Sequence, residues 1–315
     1  MLDRYGRDIR YLRISVTDRC NYRCRYCMPG DGVALCSHQD ILSFEEITAI
    51  ADAAVSLGIT KIRLTGGEPL VRRGITDLCR MLKAIPNLSE LSMTTNGSLL
   101  SDKAKELKAA GLDRLNISLD TLDPGKFQQI TRVGTLSDVF AGIDAAEAAG
   151  FLRTKLNVVL IGGFNDDEIL DFVALTEKRS LSVRFIELMP IGVCQSWPKE
   201  RFVSTDALLK AVPALVPERT DGVATEYRVP GFAGTVGLIS PLSHAFCDRC
   251  NRIRLTADGR LKPCLHAKDE IFLRGLSGDA LLETMQKAIY CKPAAHRMDA
   301  LHPSSAGRNM FEIGG

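Results

Sequence analysis

The chain has 315 residues, 45% of them hydrophobic and 25% charged, which is ordinary for a soluble globular protein of one large domain or two smaller ones. Forty basic residues against 38 acidic ones give a net charge of +2, and aromatic residues make up only 6%; a nucleic-acid binder needs a larger basic excess and more stacking side chains. No apolar run reaches the roughly 18 residues of a membrane span, and the opening MLDRYGRDIR lacks the apolar segment of a secretory signal, so a cytoplasmic protein is expected that binds neither nucleic acid nor membrane.

In chain order, strands are predicted over 11–16, 61–65, 90–95, 114–119, 154–160 and 182–187, with amphipathic helices between them. The clearest helix opens with the capping pair Ser43 and Glu46 and carries Phe44, Ile47, Ile50, Ala54 and Leu57 at helical spacing before Gly58 stops it. Similar joints recur at Ala110-Gly111-Leu112 and Ala149-Gly150-Phe151. Six such units imply a parallel α/β sheet curled by right-handed crossovers. The expected fold is an incomplete (βα)6 TIM-type barrel over residues 1–195, its open side closed by a smaller C-terminal α+β domain over 196–315. In that second part short strands are expected near 225–229, 235–240 and 252–263, and a helix over 276–289.

One face of the first six strands is apolar: Leu12, Ile14 and Val16, Ile62 and Leu64, Leu91 and Met93, Leu115, Ile117 and Leu119, Leu156 and Val158. The other carries Arg13 and Ser15, Lys61, Arg63 and Thr65, Ser92 and Thr94, Asn116 and Ser118, Lys155 and Asn157, with Arg184 on the last strand. TIM barrels normally fill their interior with branched apolar side chains. A cationic interior calls for a polyanion or water, because unpaired buried cations are costly. The turns after these strands, Gly66-Gly67-Glu68-Pro69, Thr95-Asn96-Gly97, Asp120, Gly162-Gly163 and Met189-Pro190, lie where such barrels build their sites.

Six of ten cysteines fall in two groups. Cys20, Cys24 and Cys27 follow the first strand at C-x3-C-x2-C spacing, and no histidine is near to complete a four-ligand zinc site. Cys247, Cys250 and Cys264 form the second group, where His244 or His266 could serve as a fourth ligand; spacing alone fits zinc and an iron–sulfur cluster equally. Cys36, Cys79, Cys194 and Cys291 are scattered and are given no role.

The first cysteine motif, its place after strand one and the later Gly-Gly-Glu-Pro turn resemble the radical S-adenosylmethionine (SAM) superfamily. Within it, Arg13-x-Ser-x-Thr-Asp-Arg-Cys-Asn-x-x-Cys-x-Tyr-Cys27, Lys61-Ile-Arg63-Leu-Thr-Gly-Gly-Glu-Pro69, Thr94-Thr-Asn-Gly97, Ser118-Leu-Asp120, Cys247-x-x-Cys250-Asn-Arg252-Ile-Arg254-Leu and the terminal Gly314-Gly315 resemble the GTP 3′,8-cyclase family, which opens molybdenum cofactor (molybdopterin) biosynthesis. That resemblance implies two [4Fe–4S] clusters, one on each cysteine triad. The first cleaves SAM to a 5′-deoxyadenosyl radical, with Tyr26, Gly67, Ser118 and Met189 as SAM contacts. The second holds guanine, and Arg13, Arg63, Thr94, Lys155, Arg184, Arg252 and Arg254 are expected on GTP. The radical takes hydrogen from ribose C3′, C3′ closes on guanine C8, and the resulting radical is reduced to (8S)-3′,8-cyclo-7,8-dihydroguanosine 5′-triphosphate. Gly314 and Gly315 are implied in the radical chemistry. The implied partners are GTP, a reduced flavodoxin- or ferredoxin-type electron donor and a downstream cyclic pyranopterin monophosphate synthase, and the protein is expected as a monomer or homodimer. Two rival readings are a radical SAM peptide maturase with an auxiliary cluster and a zinc-stabilised module without catalysis.

Overall fold

The computed structural model describes residues 1–33, 36–37, 39–299 and 302–314. Strands β1 (Tyr11–Ser15), β2 (Lys61–Thr65), β3 (Glu90–Thr95), β4 (Arg114–Ser118), β5 (Lys155–Leu160) and β6 (Ser182–Glu187) pair in sequence order, all parallel. Helices α1 (Phe44–Ser56), α2 (Ile75–Lys83), α3 (Leu100–Ala109), α4 (Pro124–Thr131), α5 (Leu136–Ala148) and α6 (Ile169–Lys178) form the connections. The Ser43–Glu46 capping box is present at α1. Every residue expected on the apolar strand face is at most 1% exposed. That face joins the helices in one continuous core, while the polar side chains are left to line the concave face.

The remaining elements are α7 (Asp206–Ala211), β7 (Val216–Asp221), β8 (Ala224–Arg228), β9 (Thr235–Ile239), β10 (Arg252–Leu255), β11 (Arg260–Lys262), β12 (Ile271–Phe272), α8 (Gly278–Tyr290) and α9 (Met310–Ile313). Their strands extend the same sheet at both edges: β10 lies parallel to β1, and β9 lies parallel to β6. The sheet order is β12-β11-β10-β1-β2-β3-β4-β5-β6-β9-β8-β7, open rather than closed. The stretch 252–263, expected as one strand-like piece, is a hairpin, because Asp258-Gly259 turns the chain with Gly259 at φ +84°. Strand β7 was not expected. Val-Pro-Glu-Arg-Thr-Asp has no apolar alternation, and the strand is a mostly exposed edge.

One buried carboxylate fastens the two parts. Glu187, at the end of β6 and 2% exposed, accepts from the backbone N–H groups of Thr205, Leu242 and Ser243, at 3.2, 2.8 and 3.0 Å, and from the Ser243 hydroxyl. Glu187→Ala would strand these donors, each costing about 1–3 kcal/mol. A loss of about 3 kcal/mol in denaturant unfolding is expected.

Candidate active site

The polar face of β1–β6 opens into one cavity of about 560 Å³, closed on its other sides by residues from the β7–β8 turn, β9, β10 and the C-terminal tail. Strand register sets its electrostatics. Arg254 of β10 lies beside Arg13 of β1, which lies beside Arg63 of β2. One step along, Arg252 and Lys61 flank Tyr11. Like charges directly across strands destabilise a sheet. Burial, then Arg254 and Arg63, press the Arg13 guanidinium well below its usual pKa, and burial followed by Arg252 brings Arg254 down to about 10. Aromatic faces offset part of this strain, with Arg63 5.6 Å from the Tyr11 ring centroid and Arg252 5.3 Å from that of Phe246. Arg63 also reaches Thr94 Oγ1 at 3.4 Å.

Across the cavity the cations have acidic partners that the sequence did not reveal. Asp221, at the tip of the β7–β8 hairpin, accepts from Lys155 Nζ at 2.8 Å and from Arg184 Nη2 at 2.6 Å, and Glu226 of β8 accepts from Arg184 at 2.8 Å. Burial works against the Asp221 carboxylate, but Lys155 and Arg184 outweigh it and hold the group far below the carboxylate range. Lys155 itself is pushed down to about 8 by burial and by Arg184. Between these two charged ends Arg63 Nε, Asn116 Oδ1 and Asn157 Oδ1 are buried and have no hydrogen-bond partner among the described residues. Such orphaned atoms mark where a polar ligand completes the site. Asn116 and Asn157 were placed on this face from sequence but given no ligand role. Their period-two register with Ser118 and Lys155 was the available signal.

Cys20, Cys24 and Cys27 form one wall of the cavity. Their loop is pinned to the end of α4 by Arg23 N–H on Thr131 O and Arg25 N–H on Ile130 O. Burial raises the Cys20 thiol to about 11, and burial together with the other cysteines raises Cys24 and Cys27 further. Three thiols so placed ionise together only around a strongly cationic centre, which is what the irons of a cluster supply. Among the described residues no three His, Cys, Asp or Glu side chains converge as ligands of a single metal ion. Tyr26 donates to Asp120 Oδ2 at 2.8 Å and shares the wall with Gly67, Ser118 and Met189. Gly67 N–H is taken by Thr17 O at 2.8 Å. A Cβ on Gly67 would overlap the Arg19 carbonyl, so the turn admits no side chain there. Glu68, missed from sequence as a site residue, ties this turn to the next strand's turn through Thr95 Oγ1 and the Asn96 N–H. Burial raises its pKa to about 7.

Cys247, Cys250 and Cys264 line the opposite wall. Two buried cations hold their backbone. Arg7 donates to Cys247 O at 2.7 Å, and Lys292 donates to Arg252 O and Pro263 O at 2.9 and 2.6 Å. Burial would raise the Cys250 thiol, but Arg252 and Lys292 outweigh it and bring the pKa down to about 7. The set is therefore suited to thiolate ligation. Of the two histidines expected near it, His244 is exposed and turned to Asp206 at 3.1 Å, outside the cavity wall. His266 lines the wall, held by Ser304 at 3.1 Å and stacked edgewise on His296. The C-terminal tail enters between the two walls. Phe311 and Ile313 are buried, and Arg254 donates to the Gly314 carbonyl. A Cβ on Gly314, which sits at φ +77°, would overlap Thr65 Oγ1. Gly315 lies outside the described residues.

Two cysteine walls facing one cationic cavity in an open parallel (βα)6 sheet define a radical SAM fold. The radical SAM superfamily matches residues 14–176, and the molybdenum cofactor synthesis C family matches 181–298. Among solved structures, SuiB from Streptococcus suis bound to S-adenosylmethionine aligns at TM-score 0.59 with 15% identity, covering 88% of this chain and 63% of its own. His-tagged anSMEcpe with bound AdoMet aligns at TM-score 0.59 with 13% identity over 96% and 89%. Two full-length relatives go further: the GTP 3′,8-cyclases of Peptoclostridium acidaminophilum, 52% identical over 100% of this chain and 98% of theirs, and of Alkaliphilus oremlandii, 48% identical over 100% of both. The chain belongs to the GTP 3′,8-cyclase family.

The contrast between the walls is measurable in the metal-free protein. Alkylation of Cys250 should rise with pH through about 7, as its thiolate forms, while Cys24 and Cys27 stay unreactive over that range. Peptide mass mapping of an iodoacetamide titration checks this, and Lys292→Met should move the Cys250 midpoint upward.

Proposed function

We propose that the protein is a GTP 3′,8-cyclase, a lyase that converts GTP to (8S)-3′,8-cyclo-7,8-dihydroguanosine 5′-triphosphate as the first step of molybdenum cofactor biosynthesis. The observation that carries the reading is the pair of cysteine triads on facing walls of a cavity whose floor is cationic and holds orphaned polar atoms. When bound, two [4Fe–4S] clusters and SAM supply a 5′-deoxyadenosyl radical and a guanine anchor; Cys20, Cys24 and Cys27 would hold the first cluster, and Cys247, Cys250 and Cys264 the second. Tyr26, Gly67, Ser118 and Met189 hold SAM beside the first. Arg13, Arg63, Arg252 and Arg254 offer guanidinium groups that suit phosphate oxygens. Lys155 and Arg184 join them, and Thr94 holds the ribose or base. Gly314 keeps the tail against Thr65 without a side chain in the way. The protein works with an electron donor and passes its product to a cyclic pyranopterin monophosphate synthase. It is cytoplasmic, a monomer or homodimer, divided near residue 195. No helix among the described residues is long and apolar enough to cross a membrane. For the maturase reading, the SuiB neighbours at 12–15% identity carry the fold alone.

The test is anaerobic. The reconstituted protein with dithionite and SAM should form 5′-deoxyadenosine when given GTP, and not ATP or CTP, together with a product isomeric with GTP. Equal cleavage with every nucleotide would remove GTP as substrate, and a zinc-loaded protein that cleaves no SAM would remove the enzyme. Two variants examine the residues. Asp221→Asn should lower the KM for GTP about tenfold, because the phosphates no longer compete with a carboxylate for Lys155 and Arg184. Gly314→Ala should spare 5′-deoxyadenosine formation and abolish the cyclised product, since the added Cβ meets Thr65 and Ser15 rather than a cysteine of the first triad.

A further inference from the structure

A second hollow, of about 400 Å³, lies on the outer surface and backs directly onto the first cysteine wall. Successive residues of one loop alternate between the two. Cys24 and Cys27 face the inner cavity, whereas Arg25 and Met28 line the outer hollow. Neighbouring Cα atoms are 3.8 Å apart, so the two spaces are separated by one thickness of backbone. Behind the hollow is an apolar cluster separate from the main core, made of Ile130, Ile161, Leu188 and Cys194 with Tyr26, Phe164 and Trp197 packed on it. Cys194 Sγ contacts the Tyr26 carbonyl at 3.2 Å, inside the cysteine loop. Packed matter therefore runs unbroken from the floor of the hollow to the first cysteine triad.

The rim is cationic. Arg25, Arg132 and Arg201 contribute guanidinium groups, and no carboxylate is among the described lining residues. Arg132 donates to Arg23 O and Met28 O, and Arg201 to Gly162 O and Gly163 O; neutral carbonyls fix these side chains without cancelling their charge. The floor carries Trp197, the only tryptophan of the chain. An apolar floor with a charged rim is the form of a protein docking site, and Trp and Arg are the side chains that most often dominate such contacts.

Resting on the radical SAM reading above, we infer that this hollow is where electrons enter: the docking surface for a small one-electron carrier protein with an acidic rim, seated on Trp197 and Phe164 and held by Arg25, Arg132 and Arg201. The step balances simply. The reduced carrier gives up one electron, the cluster held by Cys20, Cys24 and Cys27 gains one, and no bond or proton changes place. An acidic carrier fits because the inner cavity is reserved for small ligands, while the outer side of the same loop is open to a macromolecule and carries the complementary charge.

The test compares two reductants on the reconstituted holoenzyme. Cluster reduction is followed by loss of visible absorbance, with reduced flavodoxin, reduced ferredoxin or dithionite as donor. In the wild type, carrier-driven reduction should slow as salt is raised. Arg25→Glu should slow it about tenfold at low salt, and Trp197→Ala, whose residue lies outside the cysteine loop, should do the same if Arg25→Glu proves short of iron. Dithionite-driven reduction and 5′-deoxyadenosine formation should match the wild type in both. The inference falls if carrier-driven rates are unchanged in iron-replete variants, if neither carrier reduces the wild type, or if dithionite and carrier rates drop together. Absence of GTP-dependent 5′-deoxyadenosine with dithionite in the wild type would instead remove the enzymatic reading itself.

Discussion

The structure depends on one costly arrangement: cationic side chains packed side by side on the buried face of a parallel sheet. In-register pairing of β10, β1 and β2 sets Arg254, Arg13 and Arg63 abreast, where Coulomb repulsion and lost hydration both oppose folding. The apolar face of the same strands provides the opposing free energy. Leu12, Ile14, Ile62, Leu64, Leu91 and Met93 are wholly buried against the helices, and the sheet can carry a strained inner face because its outer face is so fully packed. The remaining strain is relieved by groups brought from afar: aromatic faces at Tyr11 and Phe246, the Gly314 carbonyl on Arg254, and the carboxylates of Asp221 and Glu226 on Lys155 and Arg184. The Asp221 carboxylate and the neutral tail carbonyl act as internal acceptors, occupying positions that suit phosphate oxygens.

How much of this was legible follows from its range along the chain. Period-two alternation is local, so the six strands and both of their faces could be read directly, and every cation expected on the inner face lines the cavity. The cysteine triads were legible for the same reason, because their spacing lies within 18 residues or fewer. What could not be read is what closes at long range. Asp221 is 66 residues from Lys155, and Gly314 is 60 from Arg254. The C-terminal strands were expected as a cover over the open side; they supply it by extending the sheet at both edges, an arrangement decided by backbone pairing that leaves no mark on composition. His244 and His266 illustrate the limit. Both are close in sequence to the second triad, yet His244 is drawn outward by Asp206 while Ser304, from the tail segment, holds His266 on the wall.

The two cysteine walls solve one problem in opposite ways. At the first, burial dominates: it raises all three thiols, the cysteines and the carboxylates of Glu68 and Asp120 add to that, and Arg23 beside Cys20 does not outweigh it, so the thiolates call for a metal centre. At the second, Arg7, Arg252 and Lys292 surround the chain and Cys250 ionises near neutral pH without help. A cluster gains electron density less readily where its surroundings are anionic and more readily where they are cationic, so the same cluster type should differ in potential between the two sites. The first wall lies against a loop whose outer side is reachable from solvent, and at the second Lys292 holds the backbone through Arg252 O and Pro263 O. The contrast between the two triads is therefore set by which neighbours each was folded beside rather than by the triads themselves.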